Sequence, residues 1–206
     1  MKVLLINGSP HEKGCTYTAL SLIAGELKAQ GIETEILHVG GQPVGGCIGC
    51  GGCRSGNGCV FGGVVNEAIE KAKTADAFVF GSPVHYASAA GNMASFMDRL
   101  AYAGGKYLAY KPAAICCSAR RAGTTSTLDQ LVKYPQFFHM PLVNGSYWAM
   151  VHGSNPEQVL QDAEGCAVMQ ELGRNMAWLL RCIEAGRAAG IDHPENPRRP
   201  MTNFIR

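Results

Sequence analysis

The 206-residue sequence carries little charge and almost no bias in its sign. Asp, Glu, Lys and Arg make up 17% of it, and 18 basic residues against 16 acidic ones leave a formal charge of +2. With the basic residues scattered, that surplus gives no electrostatic footprint for nucleic acid, and 47% hydrophobic residues exclude a disordered chain. No apolar run approaches the roughly 20 residues of a membrane helix. The opening Met1-Lys2-Val3-Leu4-Leu5-Ile6 is too short an apolar stretch for a secretory signal and has no small-residue cleavage site, so a cytoplasmic location is expected. Two nucleotide signatures are missing as well. Gly49/Gly51 and Gly56/Gly58 are followed by Arg54 and Phe61 where the dinucleotide fingerprint needs a third glycine, and no Gly-Lys-Ser/Thr of a P-loop occurs.

Cysteine and glycine are plentiful instead. Nine cysteines, an odd number in a chain without an export signal, argue against a disulfide framework. Eleven of the 26 glycines and four of the nine cysteines fall within residues 40–63.

Short apolar runs at residues 2–6, 34–39, 77–80, 113–117 and 141–148 predict five strands. Helical spacing separates them: Leu20, Ile23, Ala24 and Leu27; then Val65, Ala68, Ile69 and Ala72; then Met93, Phe96, Met97 and Leu100; then Leu128, Leu131 and Val132. Leu172, Met176, Leu179 and Ile183 mark a long last helix. Five β-α units predict an α/β fold with a doubly wound five-stranded parallel sheet, order 2-1-3-4-5, and helices on both faces. Residues 1–190 form one domain, with residues 40–63 as a loop insertion. Residues 191–206, with Pro194, Pro197 and Pro200, form an extended tail, either a surface tail or an arm around a second copy.

In such a sheet the ligand crevice lies outside the carboxyl ends of the strands. The loop leaving strand one, Asn7-Gly8-Ser9-Pro10 through Cys15-Thr16-Tyr17, is rich in hydroxyls and ends at a helix start. Ser9 or Thr16 either caps that helix, or the loop and the helix dipole hold a phosphate. The loop leaving strand three, Gly81-Ser82-Pro83-Val84-His85-Tyr86-Ala87-Ser88, can wall a flat aromatic ligand. The loop leaving strand four, Ser118-Ala119-Arg120-Arg121-Ala122-Gly123-Thr124, brings two cations to the same rim.

These three loops together resemble the flavodoxin-like NAD(P)H-dependent FMN reductases, over roughly residues 1–150. The resemblance extends from Pro83 to Phe96-Met97-Asp98-Arg99. It implies that Ser9, Cys15, Thr16 and Tyr17 bind the FMN phosphate, with Cys15 acting through its backbone N–H where many relatives carry Asn. It implies that Pro83, Val84, His85 and Tyr86 line the flavin ring, with Ser118, Arg121, Gly123 and Thr124 opposite. A homodimer with a shared site is also implied.

Cys47, Cys50, Cys53 and Cys59 follow the pattern C-x2-C-x2-C-x5-C in a glycine-rich loop that permits tight turns. The spacing is similar to that of the iron–sulfur flavoproteins, a branch of the same fold in which four such cysteines hold a [4Fe–4S] cluster. Metal-free thiols, zinc and a redox disulfide are the competing readings. The remaining cysteines, Cys116, Cys117, Cys166 and Cys182, read as packing residues. His139 and Trp148 also read as packing residues, His152 as a surface residue or a rim residue facing the flavin, and Asp98-Arg99 as an exposed ion pair or as a pair that orients the flavin loop.

The expected function is an FMN-dependent oxidoreductase. NAD(P)H reduces the flavin, which passes electrons to a small-molecule acceptor such as a quinone, azo compound or free flavin, with His85 or Tyr86 donating a proton. The alternatives are electron relay between a [4Fe–4S] cluster and FMN with ferredoxin as partner, and a redox or metal sensor built on the cysteine loop. Neither nucleic acid nor membrane is an expected partner.

Overall fold

Alternation along the first strand sets the layers. β1 (Lys2–Asn7) is buried on both sides, Val3 and Leu5 joining one core and Leu4 and Ile6 the other, as a period of two requires. The computed structural model describes residues 1–196 and 200–202. Their elements run β1, α1 (Cys15–Ala29), β2 (Glu33–His38), α2 (Val64–Thr74), β3 (Ala77–His85), β4 (Ser88–Ala89), α3 (Gly91–Gly104), β5 (Ala113–Ala119), α4 (Thr124–Phe137), β6 (Met150–His152), α5 (Pro156–Val159) and α6 (Ala163–Ala188).

The strands β2-β1-β3-β5-β6 pair in that order and all in parallel. With the two-residue β4, antiparallel to β3, set aside, this is the expected order 2-1-3-4-5. The apolar faces of α1 and α6 cover one side, and those of α2, α3 and α4 the other. Gly173 lets α6 close on α1, since a Cβ there would stand 2.7 Å from the carbonyl oxygen of Ile23. Among the described residues no helix is long and apolar enough to cross a membrane.

Two elements differ from expectation. The fifth strand is Met150–His152 rather than residues 141–148, where only Leu142 bridges to Ala113. Asn144-Gly145-Ser146 breaks that run, and Glu171 of α6 accepts from Ser146 N and Oγ at 2.8 and 2.7 Å. Strand β3 runs five residues past Phe80 and turns back as a hairpin, with Pro83 still in register with Ser118. In the tail, residues 191–196 and 200–202 carry no helix or strand, while 197–199 and 203–206 lie outside the described residues.

Candidate functional site

Asn7 shapes the loop that follows β1. Its buried amide donates from Nδ2 to Glu12 O at 2.9 Å and accepts on Oδ1 from Ser9 N at 3.1 Å, while Ser9 Oγ accepts from His11 N at 3.1 Å. The loop returns at Gly14, the N-cap of α1, where no side chain caps the helix. Helix geometry leaves the first-turn N–H groups without internal acceptors, and the dipole adds positive potential, so this end is suited to an anion. Capping by Ser9 or Thr16 is therefore not what these hydroxyls do. Thr16 Oγ1 instead meets Ser118 Oγ at 2.8 Å in the interior, joining the first loop to β5. Cys15 turns its thiol to Gly153 O at 3.6 Å, and burial pushes that thiol above its usual range. Its side chain is thus directed away from the loop, and its backbone N–H stays in the first turn of α1. Tyr17, in the same turn, is half-buried.

The β3–β4 hairpin forms the second wall. Its tip, Tyr86-Ala87, has φ of 50° and 59° at both central residues, the geometry that matches strand twist but normally belongs to Gly or Asn. Strain of about 1 kcal/mol or more per residue is stored there. Neighbours hold it in place: Ser126 Oγ donates to Ala87 O at 2.6 Å, and Gln130 Oε1 accepts from Ser88 Oγ and Ala89 N at 2.7 and 2.9 Å. Pro83 and Val84 are half-buried, whereas His85 and Tyr86 project into solvent, Tyr86 completely.

Gly123 joins the third loop to this hairpin. Its φ is +93°, and a Cβ would lie 2.6 Å from Ala87 Cα and 2.9 Å from Val84 Cγ1. Ser118 and Thr124 are buried beside it, while Arg120 and Arg121 are exposed. His152 closes the far side, Nε2 at 3.2 Å from Arg121 O and Nδ1 at 3.6 Å from Asp162 Oδ2. Asp162 also accepts from His152 N and Gly165 N, the latter as the N-cap of α6. Sequence reasoning missed Asp162 and Gln130. Helix-start chemistry could have flagged the first, whereas nothing local marks the second.

The insertion is anchored at its start and open further on. His38 Nε2 lies 2.7 Å from Ser9 O, and Asn92 of α3 holds Gly40 O, Gln42 O and Val44 N at 3.1 Å each. Gly49, Gly51, Gly56 and Gly58 all have positive φ. Cys47 and Cys50 are exposed, and Cys53 and Cys59 are half-buried; all four are free thiols. They line one cavity of about 330 Å³ together with Phe61, Arg99 and Tyr102. Among the described residues no three Cys, His, Asp or Glu converge closely enough to hold a metal as they stand.

Four expectations for individual residues need correction. Asp98 and Arg99 do not pair, because neighbours on a helix point about 100° apart. Asp98 accepts from Tyr134 Oη at 2.6 Å, while Arg99 is only 7% exposed and lies against the cysteine loop. Trp148 is 60% exposed rather than packed, and His139 is exposed and stacks on Tyr110 at 5.3 Å. Of the four cysteines expected to pack, Cys116 and Cys117 are core residues, with burial pushing Cys117 up to about 12 and Cys116 higher still, Cys166 is half-buried, and Cys182 is exposed on α6 instead.

Comparison with known proteins bears on the family and the fold. A family model described as NADPH-dependent FMN reductase matches residues 1–155. An iron–sulfur flavoprotein of Methanocaldococcus jannaschii is 27% identical over 192 residues, spanning 89% of this chain and 100% of that one. The fold is shared with RosB, solved with bound 8-demethyl-8-formylriboflavin-5'-phosphate, at a TM-score of 0.70 and 15% identity over 100% of this chain and 94% of that one. It is shared also with an archaeal flavodoxin, TM-score 0.60 and 14% identity over 88% and 99%. The chain belongs to the NADPH-dependent FMN reductase family, and so to the flavin-dependent oxidoreductases with a flavodoxin-like fold.

Proposed function

We propose that this flavoprotein relays electrons between FMN, seated at the carboxyl ends of β1, β3 and β5, and a [4Fe–4S] cluster held by Cys47, Cys50, Cys53 and Cys59. The observation that carries this reading is the cysteine cavity. Four thiols line it, glycines in left-handed conformation let the loop wrap, and a buried guanidinium supplies positive charge beside the sulfurs. That donor set fits an anionic, cysteine-ligated centre. The jannaschii relative, named an iron–sulfur flavoprotein, supports it.

The uncapped start of α1 fits the FMN phosphate, received by the backbone N–H groups of Cys15, Thr16 and Tyr17 with Ser9 shaping the loop. Pro83, Val84, His85 and Tyr86 wall the ring on one side, and Ser118, Arg121, Gly123 and Thr124 on the other. Bound FMN supplies the one- and two-electron chemistry, and the protein orients it and sets its potential. Arg121 contributes positive charge at the rim, and His85 and Tyr86 offer protons to whatever docks there. Asn92 and Arg99 stand seven residues apart on α3, about 10 Å along its axis, with the first holding Gly40, which abuts Ser9, and the second at the cysteines. Reduced ferredoxin is the electron partner of this reading, in a homodimer of cytoplasmic location.

The exposed His85-Tyr86 tip favours a second reading, in which NAD(P)H delivers hydride to the flavin and a quinone, azo compound or free flavin takes the electrons. One experiment separates the two: protein purified without oxygen is assayed for FMN, iron and sulfide, then for reduction by ferredoxin and by NADPH. Flavin with about four irons per chain and reduction by ferredoxin supports the relay. Flavin without iron, even after reconstitution, overturns the cluster and leaves the second reading. Absence of flavin after adding FMN overturns both.

A further inference from the structure

A buried arginine normally has a carboxylate partner, because desolvating an unpaired charge is costly. Arg99 is 7% exposed, yet among the described residues no carboxylate pairs with it. Among the described residues, its hydrogen bonds and its one ring contact are all with the cysteine insertion. Nε lies 3.2 Å from Cys59 Sγ, Nη1 donates to Gly45 O at 3.4 Å, Nη2 donates to Gly62 O at 2.9 Å, and the guanidinium carbon sits 5.7 Å from the centre of the Phe61 ring. One planar group thus ties the two ends of the cysteine segment to α3.

Cys59 is the best fixed of the four thiols. Asn66 of α2 accepts from Cys59 N at 2.8 Å and donates to Cys59 O at 3.0 Å, clamping the backbone while Arg99 meets the sulfur. Gly58 is required beneath that clamp, since its φ is +83° and a Cβ would lie 2.9 Å from Asn66 Oδ1. Cys47 and Cys50, by contrast, are exposed on the open side of the cavity.

We propose that Arg99 is the positioning residue of the four-cysteine centre: it presets Cys59 as the anchoring ligand and compensates the charge that the centre gains on reduction. This rests on the cluster reading above. Four thiolates around a [4Fe–4S]2+ core carry a total charge of 2−. One electron from reduced ferredoxin or flavin brings the total to 3−, with no bond made or broken and no proton required. A fixed guanidinium at hydrogen-bonding distance from one ligand sulfur favours the more negative state and raises the potential. A neighbouring lysine would keep the charge but lose the planar fork that reaches both carbonyls.

The test compares wild type with Arg99→Met and Arg99→Lys. Anaerobically reconstituted protein is titrated with dithionite through mediator dyes, and iron and FMN are counted on the same samples. Protease cleavage within residues 40–63 is followed in the protein without iron. Arg99→Met is expected to shift the one-electron equilibrium at least tenfold toward the oxidised cluster, about 59 mV, and to speed cleavage of the iron-free loop. Arg99→Lys is expected to fall between it and the wild type. An Arg99→Met variant that binds FMN but retains no iron, with iron regained in Arg99→Lys, supports the positioning role. Wild-type and Arg99→Met potentials within twofold in equilibrium, with iron retained and cleavage unchanged, overturn the inference while leaving the cluster intact. Wild-type protein that takes up FMN but no iron overturns the cluster reading and the inference together.

Discussion

Replacing Gly123 by alanine tests whether the third loop and the hairpin act as one wall. The residue has φ +93°, where an L side chain costs about 1–2 kcal/mol. Its new methyl would also stand 2.6 Å from Ala87 Cα, and backbone, unlike a side chain, cannot step aside by changing rotamer. Overpacking of that kind costs about 1–3 kcal/mol, so the combined strain is roughly 2–5 kcal/mol. The chain relieves it by parting the loop from the hairpin, and FMN must then reverse the movement to bind. Even the lower bound, roughly 2 kcal/mol, corresponds to about a 30-fold loss of FMN affinity. Titration of flavin-free protein with FMN, followed by quenching of flavin fluorescence, measures this directly. Gly25→Ala in α1 is the matched control: its Cβ meets open space, so it should gain about 0.5–1 kcal/mol of stability and leave FMN affinity unchanged. A folded Gly123→Ala variant whose FMN affinity stays within threefold of wild type would refute the coupling of the two walls.

Ser118→Ala strips the partner from the buried Thr16 hydroxyl and should cost about 1–3 kcal/mol in urea unfolding, while adding Thr16→Val should cost less than the sum of the two changes. Iodoacetamide at pH 8 should label Cys47 and Cys50 in the native, metal-free protein and spare Cys116 and Cys117, whose burial disfavours the thiolate; peptide mass mapping checks this, and fast labelling of Cys117 would contradict its placement in the core. Hydrogen bonds from Lys2 and Lys71 hold the Glu35 carboxyl below its usual range. Because its folded value lies below the unfolded one, its stabilisation is complete above the unfolded carboxylate range, near 4.3, and is lost as the pH falls through the folded value. Glu35→Gln should therefore lower Tm at pH 7, with the difference from wild type shrinking as the pH falls below the unfolded carboxylate range.

The fold was legible because apolar periodicity records which side of an element meets a core. Leu20, Ile23, Ala24 and Leu27 are buried in α1, and Val65, Ala68, Ile69 and Ala72 in α2, where their spacing puts them. Periodicity fails where burial arises without regular structure. Val143 and Ala149 are core residues on an irregular path, so the run at residues 141–148 imitates a strand. Gly81-Ser82-Pro83 looks like a stop signal, yet the parallel pairing with β5 carries β3 through it. At the candidate site, loop composition drew attention to the three loops, but the contacts that join them are long-range. Thr16 meets Ser118 across 102 residues, and Gln130 reaches back 42 residues to Ser88. Arg99 was misread because a charge beside Asp98 looks like a surface pair, and only the arrival of the insertion on α3 makes its position interior.

The connection from β2 to α2 leaves and re-enters the framework without interrupting any strand pair of the sheet. Its length and thiol content are therefore decoupled from the strand register of the sheet, and closing a longer or shorter connection changes the entropy only slowly. Chains on this framework are free to acquire, remodel or discard such a segment in the course of descent. One position limits that freedom: a connection too short to bring Gly45 and Gly62 onto α3 would leave the buried guanidinium of Arg99 without the two carbonyls it donates to.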